Sequence, residues 1–403
     1  MKPARTDRSE RQPETIPRTK PIRVLLLIKG LGAGGAERLL ALSAELRDRD
    51  DFQYEVAYLL PWKNALVGAL EDLDVPVHCL NGSAEWNLRW TGALRRLLKS
   101  RPMDIVHVHS PYVAAFARIV IKTLPQAVRP HVVSTEHLPW SGHLRLTRLA
   151  NTLTFSLDSA HVAVSSAVRD SIPMTLRHRV EVVVHGIALK RVQDEASNRE
   201  RARAELGADP GEILVATVAN LTAQKGYPIL LAAAERIVAK GIPVRFVAIG
   251  QGPMEAELRS LHERLGLEAS FTFLGFKDNP PSLVAGCDLF VLASFYEGLP
   301  VALMEALALG LPVVATDVPG VREALSHGRE GLLVPPGRAD LLAVAIEALI
   351  ADPNERARMS KAAKSRAAAF DIRRAVVTIE GIYRTIVNGS GAPNAVGMRA
   401  SRR

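Results

Sequence analysis

The sequence predicts an α/β protein built from two doubly wound halves that face each other across a cleft. Short apolar strands alternate with helical patterns, which is typical of parallel sheets covered by helices. This pattern stops in a polar, charged stretch at residues 190–203 and then starts again. The chain of 403 residues also exceeds the usual size of a single hydrophobic core. We therefore predict one half at residues 21–188, a linker at 189–205 and a second half at 206–368.

The strands are recognised by short runs rich in Val, Ile and Leu. In the first half the predicted strands are 23–28, 54–59, 104–109, 131–135, 161–165 and 180–184, with a helix at 36–46 after a glycine-rich turn. In the second half they are 213–218, 244–249, 271–274, 289–293 and 313–316. Ligands of doubly wound sheets bind outside the C-terminal ends of the strands, so we expect the site in the cleft between the halves.

The two ends of the chain are predicted to be disordered. Residues 1–20 are polar, basic and rich in Arg and Pro, and we assign the tail at 389–403 in the same way. The first residues lack the apolar segment of a secretory signal, and no apolar run approaches the ~18 residues of a membrane span. We therefore expect a cytoplasmic protein.

Composition restricts the partners and the chemistry. The formal net charge of +9 favours anionic partners such as phosphorylated ligands or an acidic membrane surface. A nucleic-acid partner is not expected, because no reading motif accompanies the charge. Cys79 and Cys287 stand in apolar contexts and indicate neither a disulfide framework nor a metal site.

Two carboxylates stand eight residues apart in the segment 294–305, directly after an apolar strand. Pro300 marks a helix start, because its missing N–H costs nothing in a first turn. Glu297 then lies in the loop and Glu305 in the second helical turn. Gly298 and Leu299 would then offer free backbone N–H groups at a helix N-terminus, where the helix dipole favours anions. A carboxylate, an anion cradle and a second carboxylate along one loop suit a nucleotide-sugar.

The glycines at 30, 32 and 35 fit G-x-G-x-x-G, the dinucleotide fingerprint, after the first strand. A nicotinamide- or flavin-dependent enzyme is thus a rival hypothesis. The fingerprint also needs an acidic residue at the end of the second strand, and residues 58–62 contain none. The loop fits a phosphate cradle, or a tight turn that needs positive φ.

Three further groups follow predicted strands. Lys225 can act as a point charge for a diphosphate or can be a solvated surface lysine. Gly250 belongs to a third glycine-rich turn, which is either a tight connection or a ligand contact. His137 follows a strand and can either face the cleft or serve as a structural histidine, which is the more common role of a lone histidine. His107 and His109 share a strand face, but two imidazoles without a suitably spaced acid do not indicate a metal site.

Taken together, these motifs resemble the retaining glycosyltransferases of family 4, which have the GT-B fold. The resemblance covers about residues 22–388, and the motifs occur in the same order as in that family. They are E-x7-E with Gly310–Gly320, Gly34-Gly35-Ala36-Glu37, Asp104–His109, Thr135-Glu136-His137, Val164-Ser165, Gln224-Lys225-Gly226, Gly250-Gln251-Gly252-Pro253 and Glu330–Val334.

The resemblance implies a role for each candidate residue. Lys225 would hold the donor diphosphate, helped by Gly34 and Gly35 and by the N–H groups after Glu297. Glu305 would bind the ribose hydroxyls, Glu297 would contact the transferred sugar, and His137 would lie on the acceptor side. The family needs no divalent metal and no other cofactor. Residues 369–388 would form a helix that returns to the first, acceptor-binding domain, and 206–368 would bind the donor.

Two segments depart from the family pattern. Asn220 stands where similar proteins often have Arg, so it can donate hydrogen bonds to the donor but brings no charge. Residues 184–188 read Val-His-Gly-Ile-Ala in place of Pro-Asn-Gly-Ile-Asp. This puts a hinge or donor role of the changed side chains in doubt, although Gly186 still permits a turn.

The predicted function is transfer of a sugar from a nucleoside-diphosphate sugar to a glycan or lipid-linked acceptor, in polysaccharide or glycolipid biosynthesis. A GT-B nucleotide-sugar epimerase and a non-catalytic nucleotide-sugar-binding protein are the alternatives. The segment 89–99 places Trp90, Leu94, Leu97 and Leu98 at helical spacing among basic residues. It fits an ordinary covering helix, or a helix that lies on anionic lipid. We hypothesise a peripheral membrane role.

Overall fold

The computed structural model of the chain describes residues 20–389, except for residues 33 and 83–86. Nearly all of the segments predicted to be disordered, residues 1–19 and 390–403, lie outside the described residues. Two separate parallel sheets form, each from short runs of Val, Ile and Leu whose side chains are almost entirely buried. Burial on both faces is what parallel sheets covered by helices require.

The first sheet has seven strands in the order β3-β2-β1-β4-β5-β6-β7, and all neighbours pair in parallel. Its strands are β1 (Ile22–Ile28), β2 (Phe52–Tyr58), β3 (Val77–Cys79), β4 (Ile105–Val108), β5 (His131–Glu136), β6 (Ala160–Ala163) and β7 (Val180–Val182). Its helices are α1 (Gly35–Leu46), α2 (Val67–Glu71), α3 (Arg89–Ser100), α4 (Pro111–Lys122), α5 (Arg145–Thr154), α6 (Ser166–Ser171) and α7 (Met174–Arg177).

The second sheet has six strands in the order β10-β9-β8-β11-β12-β13, again all parallel. Its strands are β8 (Ile213–Val218), β9 (Val244–Ile249), β10 (Phe271–Phe273), β11 (Leu289–Leu292), β12 (Val313–Thr316) and β13 (Gly331–Val334). The remaining helices are α8 (Leu189–Glu195), α9 (Arg199–Glu205), α10 (Tyr227–Val238), α11 (Glu255–Arg264), α12 (Pro280–Val284), α13 (Val301–Leu309), α14 (Pro319–Ala324), α15 (Ala339–Ala351), α16 (Pro353–Ala367) and α17 (Ile372–Val387).

The predicted fold class is confirmed. The strand order reverses beside β1 in the first sheet and beside β8 in the second, as in doubly wound sheets. The edge strands β3 and β13 were not among the predicted strands. β3 spans three half-buried residues, too few to show a strand pattern.

The segment predicted as a linker, residues 189–205, forms α8 and α9. Charge pairing fixes its second helix, α9, against the second half of the chain. Arg199 Nη2 lies 2.5 Å from Asp288 Oδ1, and Arg203 Nη1 lies 3.1 Å from Asp288 Oδ2. The polar sequence therefore reflects a helix held by ion pairs.

The last helix, α17, packs against the first half of the chain. Tyr383 is fully buried there and shares a hydrogen bond with His107 on β4. Glu380 accepts from Asp48 N at 3.1 Å, and Arg384 pairs with Asp51 at 2.8 Å. The chain thus crosses between the two halves twice.

The two crossings touch at Gly186. A Cβ added to this glycine would lie 2.3 Å from Phe370 O and 2.6 Å from Ile372 N. Gly186 is not among the glycines with positive φ. The close approach of the second crossing, and not a positive φ, is therefore the physical reason for a glycine at this position.

The helix proposed from sequence to contact lipid, α3, turns its apolar side inward. Trp90, Leu94 and Leu98 are fully buried and pack in the core of the first half. The alternative interpretation, an ordinary covering helix, is correct. Among the described residues, no helix is both long and apolar enough to cross a bilayer.

Candidate active site

A large cleft of about 990 Å³ separates the C-terminal ends of the two sheets. Residues from both halves line it, on loops that follow β1, β2, β5, β8, β9 and β11. Every site residue predicted from sequence lies on its wall: Gly34, Gly35, His137, Asn220, Lys225, Gly250, Glu297, Gly298, Leu299 and Glu305.

Lys225 and Glu297 form an ion pair on the cleft wall that belongs to the second half. Lys225 Nζ lies 2.6 Å from Glu297 Oε1, and Ser294 Oγ donates to the same oxygen at 2.6 Å. The Glu297 side chain is 5% exposed, whereas that of Lys225 is 20% exposed. The ammonium therefore reaches the cleft, while the carboxylate stays largely shielded.

The loops that carry this pair are joined by further hydrogen bonds. Phe295 N donates to Gln224 O at 2.8 Å, and Gln224 Nε2 donates to Tyr296 O at 2.8 Å. Gly226 has φ +65°, and an added Cβ would lie 2.2 Å from Ala293 O. Only glycine allows the Lys225 loop to approach the end of β11 this closely.

Glu305 lies in the second turn of α13, as predicted, and is half-buried. Desolvation raises the pKa of Glu305 to about 7, although the positive charge of Arg38 acts to lower this pKa. Arg38 Nη2 also donates to Lys277 O at 3.2 Å and to Asp278 O at 3.0 Å. One arginine of the first half thus spans the cleft beside this carboxyl group.

Gly298 brings the two halves into direct contact at the base of the cleft. A Cβ added to Gly298 would lie 1.9 Å from His137 O. Ser165 Oγ donates to Gly298 O at 2.9 Å. Pro300 caps α13, so Gly298 and Leu299 precede the helix, whose first N–H groups lack internal acceptors.

The glycine-rich loop after β1 lies opposite this helix N-terminus. A Cβ on Gly35 would come within 3.2 Å of Val301 Cγ2. Gly30, Gly32, Gly34 and Gly35 are all absent from the glycines with positive φ. The tight turn with positive φ, one interpretation of this loop, is therefore wrong. Close approach to the second half explains the glycine at position 35, whereas a Cβ on Gly30 or Gly34 would meet Lys63 or Glu37 of the first half.

The loops after β8 and β9 form the far wall. Gly250 has φ +152°, and an added Cβ would lie 2.0 Å from Ala219 O. Leu221 N donates to Gln251 O at 3.0 Å. Asn220, between these contacts, is exposed to the cleft.

Four histidines gather under the cleft wall that belongs to the first half. His109 Nδ1 lies 3.2 Å from His137 Nε2, and His107 Nε2 lies 2.7 Å from Thr135 Oγ1. Burial lowers the pKa of His137 to about 4, and those of His107 and His185 to about 3. These imidazoles are therefore neutral at pH 7. Within the described residues, no cluster of His, Cys, Asp or Glu is suited to hold a metal ion.

His137 and His185 also border a second, smaller cavity of about 70 Å³ beneath α17. Aliphatic side chains of α1, the first sheet and α17 form most of its wall. His137 thus separates the open cleft from an apolar space, which explains why its charged form is disfavoured.

The cleft residues that the sequence analysis missed include four with large side chains, Arg38, Trp62, Lys63 and Lys277. Trp62 and Lys63 follow β2. The rule that ligands bind outside the C-terminal ends of the strands would therefore have found them. Arg38 directly follows a recognised motif, Gly34-Gly35-Ala36-Glu37. Lys277 follows β10 in the same way, so the same rule would have found it.

Two family models match the chain in succession. Residues 33–191 match "Glycosyltransferase Family 4", and residues 198–366 match "Glycosyl transferases group 1". The alpha-D-kanosaminyltransferase of Streptomyces kanamyceticus is 30% identical over 322 residues, which cover 76% of this chain and 82% of that relative. The alpha-maltose-1-phosphate synthase of Mycolicibacterium smegmatis is 29% identical, and the match covers 75% of this chain and 88% of that relative.

The fold is shared with solved structures. The Anabaena protein HepE, crystallised in complex with UDP and glucose, superimposes with a TM-score of 0.79. The match covers 90% of this chain and 100% of HepE at 23% sequence identity.

Proposed function

The chain belongs to family 4 of the glycosyltransferases, and on this premise we propose that it moves a sugar from a nucleoside-diphosphate sugar to a glycan or lipid-linked acceptor with retention of configuration. The observation that carries the proposal is the ion pair of Lys225 and Glu297, which lies in the same cleft as the N-terminus of α13 and the carboxyl group of Glu305. This wall offers groups for a diphosphate, a ribose and a sugar side by side.

The diphosphate would lie at the positive end of the site. Lys225 supplies a partly exposed ammonium, and the first turn of α13 supplies N–H groups. Asn220 and the loops at Gly34–Gly35 and Gly250 would complete the cradle. Because protein donors and cations already face this position, we propose that transfer needs no divalent metal or other cofactor.

The two carboxylates would hold the rest of the donor. Glu305, deeper along α13, would accept hydrogen bonds from the ribose hydroxyls. Glu297 would accept from hydroxyls of the transferred sugar, and a diphosphate oxygen would share the Lys225 ammonium with it. His137, neutral and opposite Gly298, would contact the sugar from the acceptor side.

The reaction breaks the bond between the anomeric carbon and the diphosphate oxygen and forms a bond from that carbon to an acceptor hydroxyl oxygen. We propose attack on the same face, with the acceptor proton passing to the departing diphosphate. Charge grows on that diphosphate, so fixed donors such as Lys225 stabilise the transition state more than the ground state. The relatives named above are a transferase and a synthase, which favours transfer over epimerisation or binding alone.

The proposed place of action is the cytoplasmic face of a membrane or a growing glycan near it. The net charge of +9 supports an anionic surface as a partner.

The test is a transfer reaction with sugar-labelled UDP-, GDP- and ADP-sugars and extracted lipid or glycan acceptors, followed by NMR of the product. We expect a new glycosidic bond with the anomeric configuration of the donor. An inverted product would contradict retention, and sugar released as a C2 epimer would favour the epimerase.

A further inference from the structure

The helix α5 exposes a row of leucines on the surface of the first half. Leu146, Leu149 and Leu153 are 57%, 55% and 72% exposed, at i, i+3 and i+7 along one side of the helix. Leu144 before the helix and Leu157 after it are 61% and 37% exposed. We call these five side chains the leucine face. Single exposed leucines are common, but a continuous row on one helix marks an interaction surface.

The opposite side of α5 is polar and buried. Thr147, Asn151 and Thr154 are at most 9% exposed. Arg118 of α4 donates from Nη1 to Asn151 Oδ1 at 2.7 Å and to Thr154 Oγ1 at 3.2 Å. The helix is therefore inverted relative to an ordinary surface helix, which buries its apolar side.

Arg118 fixes this inversion. Its Nη2 lies 2.6 Å from Asp158 Oδ2, and both side chains are fully buried. Rotating α5 to bury the leucines would leave a buried guanidinium without its neutral partners, which is costly. The polar network thus holds the leucine face toward the outside.

The chain segment that carries the leucine face is basic. Between Asp104 and Asp170 the sequence contains two acidic residues, Glu136 and Asp158, and both are buried. Over the same span the chain carries Lys122, Arg129, Arg145 and Arg148, in addition to the buried Arg118 and to Arg169, which pairs with Asp170 at 3.0 Å. Arg145 and Arg148 stand between the exposed leucines on α5 itself.

We propose that the leucine face is a docking surface for an anionic lipid bilayer. Leucines inserted among the acyl chains lose contact with water, while the interleaved arginines reach lipid phosphates. A second copy of the chain fits less well, because a two-fold contact would place two basic surfaces against each other. This inference concerns α5 and not α3, whose apolar side is buried.

The position of α5 would let docking bring a lipid-linked acceptor close to the cleft. This step rests on the lipid-linked acceptor proposed above. Residues 138–144 alone separate His137 from α5. Within this connection, a Cβ on Gly142 would lie 3.1 Å from Tyr296, and His143 Nε2 lies 3.7 Å from Glu136 Oε2. A bilayer held on α5 would therefore meet the acceptor side of the cleft.

The test is sedimentation of the full-length protein with phosphatidylcholine vesicles that contain phosphatidylglycerol, compared with vesicles of phosphatidylcholine alone. The variant Leu146→Ser/Leu149→Ser/Leu153→Ser removes the centre of the leucine face. The matched control, Val344→Ser/Val377→Ser, removes two exposed apolar side chains elsewhere, which are 59% and 65% exposed. We expect the wild type and the control to sediment with the anionic vesicles. We expect the triple variant to bind these vesicles at least about tenfold more weakly.

Equal sedimentation of the triple variant and the wild type would overturn the proposal, because the bilayer would then contact another surface. Absence of sedimentation by the wild type would overturn it as well. A concentration-dependent dimer, lost in the triple variant, without vesicle binding would assign the leucine face to a second copy. Thermal shift with nucleotide-sugars, measured on the same three proteins, separates these outcomes from failure of the proposed function, since α5 lies outside the donor wall.

Discussion

The Lys225 ammonium lies 2.6 Å from the Glu297 carboxylate, although the two residues belong to loops after different strands, β8 and β11. A largely shielded carboxylate is thereby paired with a cation that is itself exposed to the cleft. In the proposed function, this relationship would place the positive charge for a diphosphate directly beside the acceptor for sugar hydroxyls.

Replacing either member of the pair should strongly reduce transfer. In Lys225→Ala the diphosphate loses its cation, and in Glu297→Ala the sugar loses its carboxylate, so we expect losses of about 10²-fold to 10³-fold in kcat. The matched control is Lys240→Ala, which breaks the exposed Lys240–Glu347 pair outside the cleft. Near-normal turnover in either folded variant would refute the assigned roles.

Donor binding should weaken as the pH falls below 7. The pKa of Glu305 is raised to about 7, so acidification converts the proposed ribose acceptor into a neutral acid. Where the carboxylate is required, affinity should fall by about tenfold per pH unit well below that pKa. Calorimetric titration of the donor at several pH values measures this, and Glu305→Gln should give weaker, nearly pH-independent binding. A wild-type affinity that is constant between about pH 8 and about pH 5 would exclude Glu305 from the donor contact.

The folded state should lose stability in mild acid. The pKa values of His107, His137 and His185 lie at about 3 to about 4 in the folded chain, below the ordinary value of 6.5. Below pH 6.5 the unfolded chain binds protons that the folded chain does not, so each histidine lowers the free energy of unfolding by about 1.4 kcal/mol per pH unit. Glu305 acts in the opposite direction between 4.5 and 7, because its folded pKa is raised, and offsets about one histidine.

Thermal unfolding across this pH range checks the prediction. His107→Gln should lower the steepness of the decrease in Tm, whereas the same substitution at exposed His178 should leave it unchanged. A Tm that stays level down to about pH 5 would show that these imidazoles accept protons without unfolding.

Gly298→Ala should impair transfer by separating the two walls of the cleft. The new Cβ would start 1.9 Å from His137 O, so one main chain must move. We expect a loss of about 1–3 kcal/mol in unfolding free energy together with reduced turnover. The control is Gly92→Ala on α3, where an added Cβ meets no atom within 4 Å. Unchanged kcat and KM in Gly298→Ala would show that this contact does not position the site.

The sequence predicts the strands well where burial on both faces leaves an unbroken apolar run, as in β1 and β8. It predicts the surroundings of helix faces less well. An amphipathic pattern identifies the two sides of a helix, but it does not show what packs against either side. The apolar stripe of α3 is covered by the core of its own half. On α5 the polar side is covered, because Arg118, far earlier in the chain, needs those partners.

The same limit applies to the candidate site. The turn chemistry places Lys225, Glu297 and Glu305 correctly at strand ends and on α13, since these features depend on neighbouring residues. The pairing of Lys225 with Glu297, the approach of Gly298 to His137 and the position of Arg38 across the cleft depend on how the halves meet. Sequence spacing carries no information about those distances.

The most direct test of the account is a thermal shift of the wild-type protein with UDP-, GDP- and ADP-sugars, starting with UDP-glucose because HepE was crystallised with UDP and glucose. At a ligand concentration of about 100 times Kd, binding should stabilise the fold by about 2.7 kcal/mol and raise Tm measurably. We expect a rise with at least one of these donors, and we expect Lys225→Ala to abolish it. No rise with any nucleotide-sugar would contradict it.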